Sequence, residues 1–137
     1  MGHLQGKVAV ITGAGRGIGR AHALSMAAQG ARLVINDVGC ERDGSGQGSA
    51  AEDVVEEIRA TGGEAAISSD EVGSSQAAQS IMQTALREFG QLDILVNNAG
   101  ILRDRTLLKM TDDEWDDVIR VHLKGTFCCL RAGAQIM

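Results

Sequence analysis

Four glycines in the seven residues Gly13-Ala14-Gly15-Arg16-Gly17-Ile18-Gly19 constrain this chain more than any other feature. They follow a short apolar run, Val8-Ala9-Val10-Ile11, and open a stretch that reads as helix. An apolar run without alternation predicts a parallel strand covered on both faces. A glycine turn between such a strand and a helix lets the chain turn tightly, bring bare backbone against a pyrophosphate, and aim the first helical amides at the anion. Gly13, Arg16, Gly17, Ile18 and Gly19 are therefore candidate cofactor-binding residues. The spacing is not the commoner G-x-G-x-x-G, because position 18 is Ile and the last glycine comes one residue later.

The rest of the chain alternates strand and helix. Helix is expected over Gly17 to Gln29, with Ile18, Ala21, Ser25 and Ala28 as its inward stripe and Gly30 at its C-terminal cap. A second strand spans Arg32 to Asn36, and the glycines at 39, 44, 46 and 48 predict a loop from Gly39 to Ser49. A helix from about Ala50 buries Val54, Val55 and Ile58, leaves Glu52, Asp53, Glu56 and Glu57 to solvent, and ends at Gly62 and Gly63. Ala65 to Ser68 is a third strand. A helix carrying Ala77, Ile81, Ala85 and Phe89 ends at Gly90, and Leu92 to Val96 is a fourth strand. The last helix starts at Thr111, where Thr-x-x-Glu is a capping box, and runs through Trp115, Val118, Ile119, His122 and Leu123. Such alternation predicts an α/β fold, a Rossmann-type doubly wound parallel sheet, in a single dinucleotide-binding domain over residues 1–137.

Asp37 ends the second strand, eighteen residues after Gly19. A carboxylate there accepts hydrogen bonds from the adenosine ribose hydroxyls and repels a 2′-phosphate, which favours NAD over NADP. Arg16 argues the other way, but Val38 and Gly39 supply no further cation. The expected cofactor is NAD.

Two signatures together carry a resemblance. Thr12-Gly13-x-x-x-Gly17-x-Gly19 and, some eighty residues later at a strand end, Asn97-Asn98-Ala99-Gly100 resemble the short-chain dehydrogenase/reductase family. Asn36-Asp37-Val38-Gly39, Ile101-Leu102-Arg103-Asp104-Arg105 and Arg120-Val121-His122-Leu123-Lys124-Gly125 resemble one branch of it, the (3R)-hydroxyacyl-CoA dehydrogenase part of peroxisomal multifunctional enzymes and their bacterial relatives. The resemblance implies that Asn98, Ala99 and Gly100 line the cofactor cleft and that Asp70 and Val72 flank the adenine. It implies a strand order of 3-2-1-4. It also implies hydride transfer between the nicotinamide and a secondary alcohol or ketone, with a 3-hydroxyacyl-CoA thioester as the branch's substrate. Family catalysis uses Asn, Ser, Tyr and Lys. His122 stands at the Asn position, where it either holds a proton-relay water as a catalytic residue or is simply a hydrogen-bonded helix histidine facing inward with Trp115.

The chain contains no Tyr, which excludes a phenol base within these residues, and Met137 falls before the family's Ser and Tyr-x-x-x-Lys positions. The domain is thus expected to be C-terminally incomplete and inactive alone. The alternative is a dinucleotide-binding module without catalysis. Cut there, the fourth strand would be an exposed apolar edge, so a homo-oligomer is expected. Arg103, Arg105 and Lys109 read as surface charge or as contacts to coenzyme A phosphates. Asp112, Asp113, Asp116 and Asp117 suit a helix start, and with no His or Cys beside them no metal site is expected. Net charge is −5 with no basic run, which argues against nucleic acid. No apolar run approaches ~20 residues, so no membrane span is expected. Met1 to Gly6 lacks a signal-peptide pattern, and Cys40, Cys128 and Cys129 form no disulfide or zinc spacing, which together predict a cytoplasmic protein with reduced thiols.

Overall fold

Neighbouring residues of β1 (Val8–Thr12) enter different cores, because successive side chains of a strand point to opposite faces. In the computed structural model, which describes residues 2–39 and 49–137, Val8 and Val10 join Val34 of β2 (Arg32–Asn36) against Ile81, Met82 and Ala85 of α3 (Ser75–Phe89) and Cys128 and Cys129 of α5 (Gly125–Ile136). Ala9 and Ile11 face the other way with Leu33 and Ile35, and meet Ala23 of α1 (Gly17–Ala28) and Val54, Val55 and Ile58 of α2 (Ala50–Ala60). Each fully buried Val, Leu or Ile contributes roughly 1.5–3 kcal/mol, so these two layers carry the fold. β3 (Ala65–Ser68) and β4 (Ile94–Val96) complete a four-stranded parallel sheet in the order β3-β2-β1-β4, the order the resemblance implied. The register pairs Val10 with Val34 and Leu95. The architecture is the expected Rossmann-like α/β sheet. Most of the loop expected between Gly39 and Ser49, with Cys40, lies at residues 40–48, outside the described residues.

Three details differ from expectation. The stripe of Ile18, Ala21, Ser25 and Ala28 faces solvent, with Ile18 71% exposed; Gly19 and Ala23 are the buried residues of α1. A helix built of Gly, Ala and Ser presents two small-residue stripes, and the one that packs is the one that fits closest to the sheet. β4 begins two residues late, at Ile94, because Asp93 turns its carboxylate back to the Val8 N–H (2.9 Å) and Lys7 Nζ (3.3 Å). The last helix is not one α-helix. α4 (Asp112–Ile119) passes through a π turn (Arg120–Lys124) into α5, and Trp115, expected to pack inward, is 58% exposed. His122, seven positions after Trp115 and expected on the same inward face, is exposed as well, and only its ring edge is tied down, by hydrogen bonding to the Ile101 backbone.

The capping box is formed as expected. Thr111 Oγ1 accepts from the Glu114 N–H (3.2 Å), and Glu114 Oε2 accepts from the Thr111 N–H (3.0 Å). That backbone bond, then Arg105, holds the Glu114 carboxyl below its ordinary pKa. Gly90 closes α3 in the left-handed conformation (φ 77°). Burial, with a smaller push from Cys128, raises the Cys129 thiol to about 11, so it is a packing residue rather than a nucleophile. Among the described residues no helix is long and apolar enough to cross a membrane.

The contrast between Ile81, fully buried, and Ile18 gives a direct test of this packing. Ile81→Ala is expected to destabilise the chain by about 2–4 kcal/mol in urea denaturation, whereas Ile18→Ala is expected to stay within about 0.5 kcal/mol.

Candidate functional site

The carboxyl ends of β1 and β4 are joined by side chains rather than by the strand ladder. Thr12, 1% exposed, points its hydroxyl at the turn after β4, where Oγ1 accepts from the N–H groups of Asn98 (3.1 Å) and Ala99 (3.1 Å). Asn98 answers by donating Nδ2 to the carbonyls of Thr12 (3.1 Å) and Gly13 (2.9 Å). The two signature motifs are thus one hydrogen-bonded unit. Their glycines are required by contact: a Cβ on Gly19 would lie 2.2 Å from the Gly13 carbonyl oxygen and 2.5 Å from Asn98 Nδ2, and one on Gly13, whose φ is +64°, 2.8 Å from Ala99 Cα.

Asp37 closes the second side. Its Oδ2 accepts from the Gly15 N–H (2.8 Å) and its Oδ1 from the Gly39 N–H (2.6 Å), so the carboxylate braces both the glycine turn and the chain leaving β2. Next to it, Asn36 is 2% exposed and donates to Ser68 and to the Asp70 carbonyl (2.9 Å), tying the turn after β3 to the same edge. The Asp70 carboxylate accepts from Ser80 Oγ (2.9 Å). Val72 is buried in the core, where its side chain packs against Gly125 at the start of α5.

At the N-terminus of α1 no side chain caps the helix; Arg16 is the extended N-cap residue and makes no side-chain cap bond. A Cβ on Gly17 would meet nothing within 4 Å. Among the described residues the turn is therefore open at Gly17, while its far side, at Gly13 and Gly19, is packed on Asn98 and Ala99. Ile18 lies on that outer side, exposed.

His122 lies in the π turn. Its Nε2 sits 3.1 Å from the Ile101 amide nitrogen and 2.9 Å from the Ile101 carbonyl oxygen, and its ring fills the space a Cβ on Gly100 would take, at 2.6 Å. In one tautomer Nε2 accepts from the amide; in the other it donates to the carbonyl. Arg120, at the head of the same turn, donates to Glu71 Oε1 (2.8 Å), to the Val72 carbonyl (3.3 Å) and to Asp117 Oδ1 (3.5 Å). Burial works against its charge, but Glu71 and Asp117 outweigh that and keep its pKa above the ordinary value.

The structure therefore brings together Gly13, Gly19, Asn98 and Ala99, with Asp37 braced against Gly15 and Gly100 against His122. Arg16, Ile18, Asp70 and Val72 sit at the margins. Thr12, Asn36 and Arg120 belong to the motifs but are not among the residues expected in the site, and the structure adds them to it. A hydroxyl or amide at a strand's carboxyl end was the available signal for the first two. Arg103 and Arg105 are paired with Asp117 (3.0 Å) and Glu114 (2.9 Å) at the start of α4. Among the described residues no group of three or more His, Cys, Asp or Glu is placed to hold a metal ion.

Comparison with known proteins agrees with this geometry. The short chain dehydrogenase family model matches residues 7–137. A crystal structure of a short chain dehydrogenase from Mycobacterium avium superposes with a TM-score of 0.90 at 52% identity, covering 98% of this chain and 47% of that one. Peroxisomal multifunctional enzyme type 2 of Mus musculus is 48% identical over 128 residues, 93% of this chain and 17% of the mouse protein. A hydroxyacyl-CoA dehydrogenase of Mycobacterium tuberculosis is 46% identical over 135 residues, 96% of this chain and 40% of that protein. The chain thus spans less than half the length of each of these relatives. With both signature motifs hydrogen-bonded to each other and the family model matched to the last residue, the chain belongs to the short chain dehydrogenase family of oxidoreductases.

Proposed function

We propose that this chain is the NAD-binding portion of a dehydrogenase that interconverts a secondary alcohol and a ketone by hydride transfer, with 3-hydroxyacyl-CoA thioesters as the substrate class. The observation that carries the reading is the glycine turn, packed tight on Asn98 beneath and, among the described residues, open at Gly17 by the uncapped start of α1. Such a seat suits a pyrophosphate, held by backbone amides and the helix dipole. Gly17 lets the anion approach, Gly13 and Gly19 keep the turn on Asn98, and Asp37 offers its remaining lone pairs to ribose hydroxyls. The nicotinamide supplies the hydride acceptor or donor when bound. His122, with Nε2 held by the Ile101 backbone, keeps Nδ1 as the atom that exchanges a proton with water near the cleft. The substrate class rests on the branch resemblance and on the hydroxyacyl-CoA dehydrogenase named among the relatives.

The second reading is a dinucleotide-binding module without catalysis. The two readings differ in what a longer reading frame contains. A Tyr-x-x-x-Lys helix downstream would decide for the enzyme.

A second copy of the chain is the proposed partner. Trp115, Leu123, Phe127 and Leu130 form an exposed apolar stripe along α4, the π turn and α5. The stripe runs from an acidic first turn (Asp112, Asp113, Glu114) towards Lys124 and Arg131, so an antiparallel pairing sets opposite charges together. Light scattering is expected to show a dimer or larger species that Leu123→Glu shifts toward monomer. A wild-type monomer would overturn the proposal.

Two outcomes test the cofactor assignment and the catalytic division. In calorimetry NAD is expected to bind more tightly than NADP, and Asp37→Ala is expected to weaken NAD by about 1–3 kcal/mol, the cost of leaving polar partners unmatched. Equal affinity for the two cofactors would remove the assignment. Material verified at the mass of these 137 residues is expected to show no turnover of 3-hydroxyacyl-CoA. Measurable turnover would mean that a residue other than Tyr, His122 first, serves as the base.

A further inference from the structure

The π turn joins two loops that the sequence keeps far apart. Its wide hydrogen bond runs from the Gly125 N–H to the Arg120 carbonyl, five residues back. The side chain of that same Arg120 reaches the loop after β3, where it holds Glu71 and the Val72 carbonyl. The loop is shaped to receive it: Gly73 has φ +120°, and a Cβ there would lie 2.8 Å from Arg120 Cγ. Val72 meets the other end of the turn, its Cγ2 3.2 Å from where a Gly125 Cβ would stand. Two residues after Arg120, the His122 ring lies on Gly100 and Ile101, in the loop after β4.

We propose that Arg120 is a positioning residue that clamps the loop after β3 to the π turn and so fixes the His122 ring on the Gly100–Ile101 backbone. A regular α-helical turn would rotate His122 away from Ile101, since a π turn accommodates about one extra residue. Single π turns within helices are uncommon, so the contacts around one bear on why it forms. Here the surroundings are the three acceptors gathered by one planar guanidinium, which a lysine ammonium cannot reach with the same fork geometry. Arg120 thereby links the segment carrying Asp70 and Val72 to the segment carrying His122. Its bearing on cofactor affinity rests on the dinucleotide reading above; its hold on the His122 ring does not.

The experiment is nitrogen-15 NMR of the histidine rings in the 137-residue chain, with the His122 signals identified by their loss in His122→Asn. In the wild type the His122 ring is expected to show unequal nitrogen shifts, with Nε2 exchanging slowly because the Ile101 backbone holds it. All three histidines are exposed, but among the described residues only the His122 ring is hydrogen-bonded, so His3 and His22 should show solvent-averaged shifts. Arg120→Ala is expected to move the His122 signals to those averaged values while circular dichroism stays unchanged, and Arg120→Lys should restore them only in part. Arg87→Ala, which removes an exposed ion pair with Glu88, should leave them in place. NAD affinity, read in parallel, should fall by roughly tenfold in Arg120→Ala. If Arg120→Ala does not fold, Glu71→Ala removes the shortest contact without touching the helix and should shift His122 in the same direction. A folded Arg120→Ala or Glu71→Ala with wild-type His122 signals overturns the proposal, as does an equal shift in Arg87→Ala. Absence of NAD binding by the wild type would count against the dinucleotide reading alone, since the ring signals still decide the clamp.

Discussion

The hydrogen bonds between Thr12 and Asn98 set the geometry on which the rest of the candidate site depends. A parallel strand that stops in a buried place leaves amides and carbonyls without ladder partners, and each unmatched group costs about 1–3 kcal/mol. Here Thr12 Oγ1 takes two such amides, and Asn98 Nδ2 serves two such carbonyls. The end of β4 is thereby fastened to the start of the glycine turn. Gly19 follows as a consequence, since Asn98 Nδ2 already occupies the place its Cβ would need. One amide side chain thus satisfies the sheet and shapes the turn above it.

The helical arm from Asp112 to Ile136 is held differently along its length. α5 buries Cys128, Cys129 and Ala132 against the sheet and α3, so packing anchors it. α4 fully buries no residue: Val118 packs half-buried against the core, and ion pairs of Arg103 and Arg120 with Asp117 and of Arg105 with Glu114 add to that hold. Exposed ion pairs contribute little singly, typically below 1 kcal/mol, so the first half of the arm is the less firmly held part. The π turn lies where the two regimes meet, and its side chains rather than its helix bonds decide where His122 points.

The sequence shows the sheet more clearly than the helices. β2 and β3 were bounded correctly because each is a short apolar run between polar or glycine residues, a pattern only a covered strand explains. α2 and α3 were legible from Val54, Val55, Ile58 and Ile81, whose bulk marks one face. α1 misled because Ala, Ser and Gly carry no volume signal, and two stripes of small residues satisfy the same 3.6-residue period. The π turn had no signal at all: Arg120 to Lys124 contains ordinary helix formers, and the extra residue is held by Glu71 and Val72, some fifty positions earlier. In the site, motif residues were visible because glycine is required by contact. Thr12 and Asn36 carry only the signal of a polar residue at a strand's carboxyl end, and Arg120 none, because their partners are brought near only by the fold.

Asp37 shows why the acid after β2 answers to the fold and to a ligand at once. Its two oxygens already accept from Gly15 and Gly39, each through one lone pair. A carboxylate has about four acceptor positions, so two remain for hydroxyl donors without releasing either loop. An asparagine in the same place would turn its NH2 toward one of those backbone N–H groups, donor against donor, and lose a brace. An alanine would lose both. The geometry of the glycine turn therefore selects a carboxylate even before any ribose is considered, and the charge that disfavours a 2′-phosphate comes with it. Changing the acid at this position would disturb the glycine turn that the proposed function gives to the pyrophosphate. A relaxed preference would be gained more readily by a cation added at Val38, next to the acid, than by removing the acid itself.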